Sequence, residues 1–202
     1  MEQKKDIRRQ KGEQTRGRLL EATLSVLMRQ GIQGFTAQNV AREAQVSKAT
    51  LFHHFDTLDE LLLGAIFHVI DMIMHDHREE EHSDVGEYIR CMGQRVLGML
   101  ARQPEVLKAS YVMLERAAFN EAVRLKGREM QRHVLENIEA DLEKLVPAEN
   151  RRWSIKHMAL ALGTLLDGMG NDWIFNKDLK RLEDFWNEVA DFFAAGLKGE
   201  TQ

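Results

Sequence analysis

An all-α protein is predicted by three observations. Only two prolines, Pro104 and Pro147, interrupt 202 residues, β-branched runs are few, and apolar residues recur at three- and four-residue spacing along most of the chain. Cys91 stands alone, so no internal disulfide is available, and no leader-like segment opens the chain; a reducing cytoplasm is the expected location. No apolar run approaches the roughly 20 residues needed to span a bilayer, so no membrane association is expected. The net charge of −4 hides an asymmetry. Up to Leu58 there are ten Lys and Arg against six Asp and Glu, a net of +4, leaving −8 for the rest. A basic end on an acidic body suits a module that neutralises phosphates, although a solvated basic terminus has the same composition.

Taken in order, Met1 to about Glu13 is polar without an apolar face and reads as a mobile basic arm with Lys4, Lys5, Arg8 and Arg9. Thr15 to about Gln30 is the first helix, its apolar face Leu19, Leu20, Ala22, Val26 and Leu27, with Gly31 and Gly34 punctuating its end. Thr36 stands as the N-cap of a second, short helix whose inner face is Val40 and Ala41. Ala44-Gln45-Val46 breaks the pattern, and Ser47 is the next cap candidate. Beyond it Leu51 and Phe55, four apart, mark one face of a third short helix, and the other face shows Lys48, Ala49, Thr50, His53 and His54. Two short helices around a tight turn, the second with a small, polar outer face, fit a helix-turn-helix laid in a DNA major groove.

The run Thr36, Val40, Ala41, Ala44, Val46, Ser47, Thr50, Leu51, Phe55 and Leu61 resembles the N-terminal region of the TetR family of bacterial transcriptional regulators. That resemblance implies a three-helix DNA-binding domain over 1–58 and a larger helical effector-binding and dimerisation domain over 59–202. It also implies Thr36, Ser47, Lys48, Ala49, Thr50, Phe52, His53 and His54 as the DNA-contacting set. Three positions depart from the family pattern: Gln45 replaces a turn glycine, Phe52 a frequent tyrosine, and Leu58 a frequent phosphate-binding lysine. The last two leave fewer phosphate contacts.

Thr57 caps a long helix through Leu61, Leu62, Ala65, Ile66, Val69, Ile70, Ile73 and Met74, fading in His75–His82. His77 and His82 lie about 140° apart on a helix, which is unsuitable for a shared metal. His68, Asp71, His75 and Glu79 do share a stripe, but a solvated helix end explains them as well. Asp84 to Arg102 carries Val85, Ile89, Met92, Val96 and Met99 inward; Pro104 opens a segment with Val106, Leu107, Tyr111 and Leu114; Phe119 to Leu145 reads as one long helix ended by Pro147.

Methionine adapts to irregular apolar groups, so this block suits either a ligand cavity or a filled core. The resemblance favours the cavity, with Met92, Met99, Tyr111, Met130, His133 and Asp167 as candidate ligand contacts. Helices at about Asn150–Phe175 and Leu179–Leu197 close the chain. The first mixes large with small residues, and Leu182, Phe185, Trp186, Val189, Phe192, Phe193 and Leu197 form a broad apolar face on the second, as a four-helix homodimer interface needs.

The expected function is a ligand-responsive regulator, most simply a repressor, binding double-stranded operator DNA and a small, partly apolar effector. The rival is a helical carrier or enzyme without DNA. No catalytic triad order, nucleotide loop or CxxC pair stands out, so neither catalysis nor a cofactor is expected.

Overall fold

The computed structural model describes residues 2–79, 82–148, 151 and 153–198, the side chains of 2–8, 74–79 and 197–198 excepted. The described elements are α1 (Glu2–Gln30), a 3-10 turn (Ile32–Gly34), α2 (Ala37–Glu43), α3 (Lys48–His54), α4 (Leu58–Glu79) and α5 (Val85–Arg102). After them come α6 (Pro104–Phe119), α7 (Glu121–Leu145), α8 (Ile155–Asn176) and α9 (Leu179–Lys198). The fold is all-α, with no strand among the described residues.

One expectation is corrected at once. Residues 2–13 are not an irregular arm but the first turns of α1. The segment has no apolar face, yet Glu, Gln, Lys and Arg are good helix formers. Extending a helix already nucleated by the packed Leu19–Leu27 stretch costs no second nucleation. Arg9 pairs with Glu13 one turn on, and Thr15 Oγ1 donates back to the Lys11 carbonyl at 2.8 Å. The side chains of Lys4, Lys5 and Arg8 lie outside the described residues.

The boundaries elsewhere follow local chemistry. Pro104 opens α6, where a missing N–H costs nothing. Phe119 ends that helix rather than starting the next, because the Asn120 side chain accepts from the Ala122 and Val123 amides and so caps α7. Trp153 stands before α8, not within it, and packs on Phe192 and Phe193 of α9. Lys177, left-handed at φ 55°, terminates α8, its amide donating to the Trp173 carbonyl.

The contacts group the chain into two units, Met1–Ile70 with Gln103–Arg128, and Asp71–Arg102 with Glu129–Gln202. In the first, α1 is the hub. Leu19, Leu20, Val26 and Leu27 are buried beside Val40, Leu51, Phe55, Leu61 and Leu62, and α6 lies on α1 and the 3-10 turn. An ion pair between Arg116 and Asp59 ties α6 to the first turn of α4.

The second unit is built on the α5–α9 pair, with α8 against both. Its largest buried side chain, Trp186, sits against Gly93 and donates its indole N–H to the Ile89 carbonyl at 2.6 Å. No helix among the described residues is long and apolar enough to cross a membrane. Nor does any group of three or more His, Cys, Asp or Glu stand ready for a metal there; the His75 and Glu79 side chains lie outside those residues.

Candidate nucleic-acid interface

The interface grows from two caps and a turn. Thr36 is extended (φ −134°, ψ 152°), and its hydroxyl oxygen accepts from the Asn39 amide at 3.2 Å, starting α2. After seven residues the helix stops. The Val46 amide reaches back to the Ala41 carbonyl at 2.9 Å, a closure that needs the left-handed φ of 55° seen at Gln45. Ser47 then caps α3, accepting from the Thr50 amide at 3.0 Å and sharing a 2.9 Å hydrogen bond with the Thr50 hydroxyl.

Side chains orient α2. Glu43 pairs with Arg29 and accepts from Ser25 of α1, which together hold its carboxyl below the ordinary range. Asn39 Nδ2 donates to the Gly34 carbonyl, and Arg42 donates to Asn39 Oδ1 at 3.0 Å.

Helical geometry sorts the faces of α3. Leu51 and the following Phe55 are buried, so at 100° per residue the opposite direction belongs to Ala49 and His53. Both are exposed; Lys48 and Phe52, also exposed, flank them on one side, and half-buried Thr50 and His54 on the other.

The two histidines therefore differ. His53 points outward. His54 turns towards α1, where a methyl group on Gly12 would stand 4.0 Å from its Cε1. Desolvation, reinforced by the neighbouring His53 and Arg16 charges, lowers the His54 pKa. Arg16 itself lies over the Phe55 ring, 4.7 Å from its centroid, bracing the end of α3. Sequence reading missed Arg16 as a positioning residue. The signal was present: Arg16 extends the Leu20–Thr23–Leu27 stripe one turn backwards.

This geometry accompanies clear relationships. Residues 19–65 match the sequence model described as bacterial regulatory proteins, tetR family. Over that stretch, which holds the helix-turn-helix, the chain is similar to TetR-family regulators. The HTH-type transcriptional regulator PksA of Bacillus subtilis (strain 168) is 43% identical over 54 residues, a segment covering 27% of this chain and 26% of that protein. The transcriptional regulator FadR from Bacillus subtilis, solved with stearoyl-CoA, shares the fold at TM-score 0.69 and 16% identity, covering 89% of this chain and 97% of that one. The multidrug binding protein EbrR, solved with proflavin, does so at TM-score 0.58 and 21% identity, over 88% and 98%.

The candidate ligand contacts are dispersed. Met92 is buried and Met99 half-buried on α5, both turned away from the Gly93 side that meets α9. Met130, half-buried, and His133, exposed, lie on the part of α7 in the second unit; Tyr111, half-buried, belongs to the first. Asp167 is on the outer face of α8. Its surface is open in the single chain, yet the surrounding protein desolvates its carboxyl enough to raise its pKa.

Proposed function

We propose that the protein is a homodimeric, ligand-responsive transcriptional repressor whose two α3 helices enter successive major grooves of a near-palindromic operator, about 34–36 Å apart. The observation that carries this reading is the outward face of α3, where Ala49 and His53 stand exposed while Leu51 and Phe55 anchor the opposite side in the core. Thr36 Oγ1 accepts from the Asn39 amide, which leaves its O–H to donate to a phosphate. One proton of the Ser47–Thr50 hydroxyl pair is similarly free. These hydroxyls fix register; sequence is read by Lys48 on guanine O6 and N7, Ala49 on a thymine methyl, and His53 on a neighbouring base or phosphate. Phe52, without a hydroxyl, adds apolar contact to the sugar-phosphate edge, and His54 supports the helix from the α1 side.

Dimerisation uses the outer stripes of α8 and α9. Leu160, Phe175, Phe185 and Phe192 are exposed large apolar residues, Phe175 at 79% and Phe192 at 63%, and such a surface belongs under a partner. Thr164, Gly168 and Asn171 between them let two helices approach. Effector binding falls to the second unit. The stearoyl-CoA of FadR and the proflavin of EbrR support this and make both molecules natural first probes. The effector acts by preferring the arrangement of the two reading heads that does not fit the operator.

The test is fluorescence anisotropy on the DNA flanking the protein's own gene. A salt-sensitive, saturable complex is expected, and Lys48→Ala should alter preference at one base position by about 1–3 kcal/mol. Equal weakening on every sequence would move Lys48 to the phosphate backbone. Absence of any salt-dependent complex would end the regulator reading.

A further inference from the structure

Gly163 and Gly168, both inside α8, differ in what surrounds them. A β-carbon at Gly163 would stand 3.1 Å from Leu135 of α7, so packing within the chain asks for a small residue there. At Gly168 it would meet nothing within 4 Å. Glycine in a helix interior costs about 1 kcal/mol relative to alanine, and nothing in the protomer offsets that cost at Gly168.

Gly168 belongs to the exposed stripe of α8, together with Leu160, Thr164, Asp167, Asn171 and Phe175. At about 100° per residue all six fall within about 50° of one direction. The stripe reads alike from both ends. Around a midpoint between Asp167 and Gly168, exposed Leu160 mirrors exposed Phe175, and Thr164 mirrors Asn171. Large apolar residues thus answer large apolar ones, and neutral polar residues answer neutral polar ones. An isologous contact needs this symmetry, because each position meets its counterpart across the axis. Antiparallel helices related by such an axis place both Asp167 residues on one side of the seam and both Gly168 residues on the other, offset by only about 1.5 Å along the helices. The bare glycine side lets the helices close, and closing brings the carboxyl groups together.

Asp167 has no counter-charge of its own. Burial alone raises its pKa, with no charged group of α5, α7 or α9 among the described residues acting on it. The other acid of α8, Asp172, is taken by Arg181 of α9. Lys156 and His157, at the N-terminal end of α8, stand about 15 Å away along the helix. Two carboxylates in contact and shielded from water cannot both ionise.

We propose that α8 pairs antiparallel with its own copy about a two-fold axis between Asp167 and Gly168, and that the two Asp167 carboxyl groups meet there and hold one proton between them. The O–H of one donates to the carboxylate of the other. Dimer formation therefore takes up a proton from solvent, and the dimer loosens as pH rises. This rests on the homodimer reading above and gives it a register and a response to pH.

The test uses the full-length protein. With Cys91→Ser as background, an introduced cysteine is the only one. Under mild oxidation Asp167→Cys should link to its own copy. Thr164→Cys should not, because its two copies stand about 10 Å apart along the helices, whereas mixed Thr164→Cys and Asn171→Cys chains should link. By sedimentation, the wild-type dimer dissociation constant should rise at least tenfold from pH 5.5 to pH 8. Asp167→Asn keeps the shape and needs no proton, so it should dimerise at least tenfold more tightly than wild type at pH 8 and lose the trend. A trend that survives Asp167→Asn belongs to His157 and overturns the shared proton. Self-linking by Thr164→Cys, or no link by Asp167→Cys in a protein that sediments as a dimer, overturns the register. A monomer at every concentration removes the homodimer reading and the proposal with it. If a cysteine variant fails to fold, the wild-type and Asp167→Asn sedimentation series decides.

Discussion

Gly93→Ala is the substitution whose cost can be worked most directly from the coordinates. A β-carbon there would fall far inside contact distance of Trp186 Cδ1, Nε1 and Cγ, against a ring rather than a flexible chain end. The indole cannot swing aside cheaply. It is 1% exposed, and its N–H is committed to the Ile89 carbonyl. Either α5 and α9 separate or the ring leaves its site. Overpacking of this kind costs about 1–3 kcal/mol. Losing the indole hydrogen bond adds about 1 kcal/mol, for a total of roughly 2–4 kcal/mol. At about 2–4 °C per kcal/mol for a chain of this size, the thermal midpoint should fall by roughly 5–15 °C.

Urea unfolding at fixed protein concentration is the assay, since the stability of the proposed dimer would depend on concentration. The partner experiment is Trp186→Leu. Alone it opens a cavity and loses stability; combined with Gly93→Ala it should cost less than the two singles together, because the methyl then has space. A Gly93→Ala protein within about 0.5 kcal/mol of wild type, or strict additivity in the pair, would refute the close α5–α9 approach.

Other expectations concern the turn and the outer face of α8. Gln45 is left-handed at φ 55°, so Gln45→Gly should leave stability unchanged or raise it by up to about 1 kcal/mol, relief of strain being partly offset by a freer unfolded chain. Gly31→Ala, at φ 63° with the methyl meeting only Glu105 Oε2 at an ordinary 3.7 Å, should lose about 1 kcal/mol; the opposite ordering by urea unfolding would contradict the assigned turn geometry. Asp167 carries a raised pKa, so its folded state holds the proton more tightly than the unfolded chain, and its unfavourable contribution grows as pH rises above the ordinary Asp range. Asp167→Asn should therefore stabilise the protein at pH 7.5, with the advantage narrowing towards pH 4. A pH-independent difference would show that desolvation is not the cause.

The helix-turn-helix end of this protein was legible in its amino acids because every device there is local. Thr36 and Ser47 cap helices begun by their own neighbours, and Leu51 and Phe55 mark the buried side of a seven-residue helix through spacing alone. The breadth of the apolar stripe on α9 was equally readable, and the fold buries one part of it, Leu182, Trp186 and Phe193, while leaving Phe185 and Phe192 exposed. Helix continuation before Thr15 was missed because an apolar face was demanded of residues that needed only an existing helix to extend.

Tertiary structure alone decided the rest. Adjacent histidines in the sequence became one that faces outward and one desolvated beside Arg16. Asp141, one of several acids on α7, became a buried carboxyl group with an unused oxygen, while His133 on the same helix stayed at the surface. Periodicity fixes which side of a helix is apolar. Which polar atom is stranded within that side depends on the neighbours that long-range packing brings to it, and those are set by residues far away in the chain.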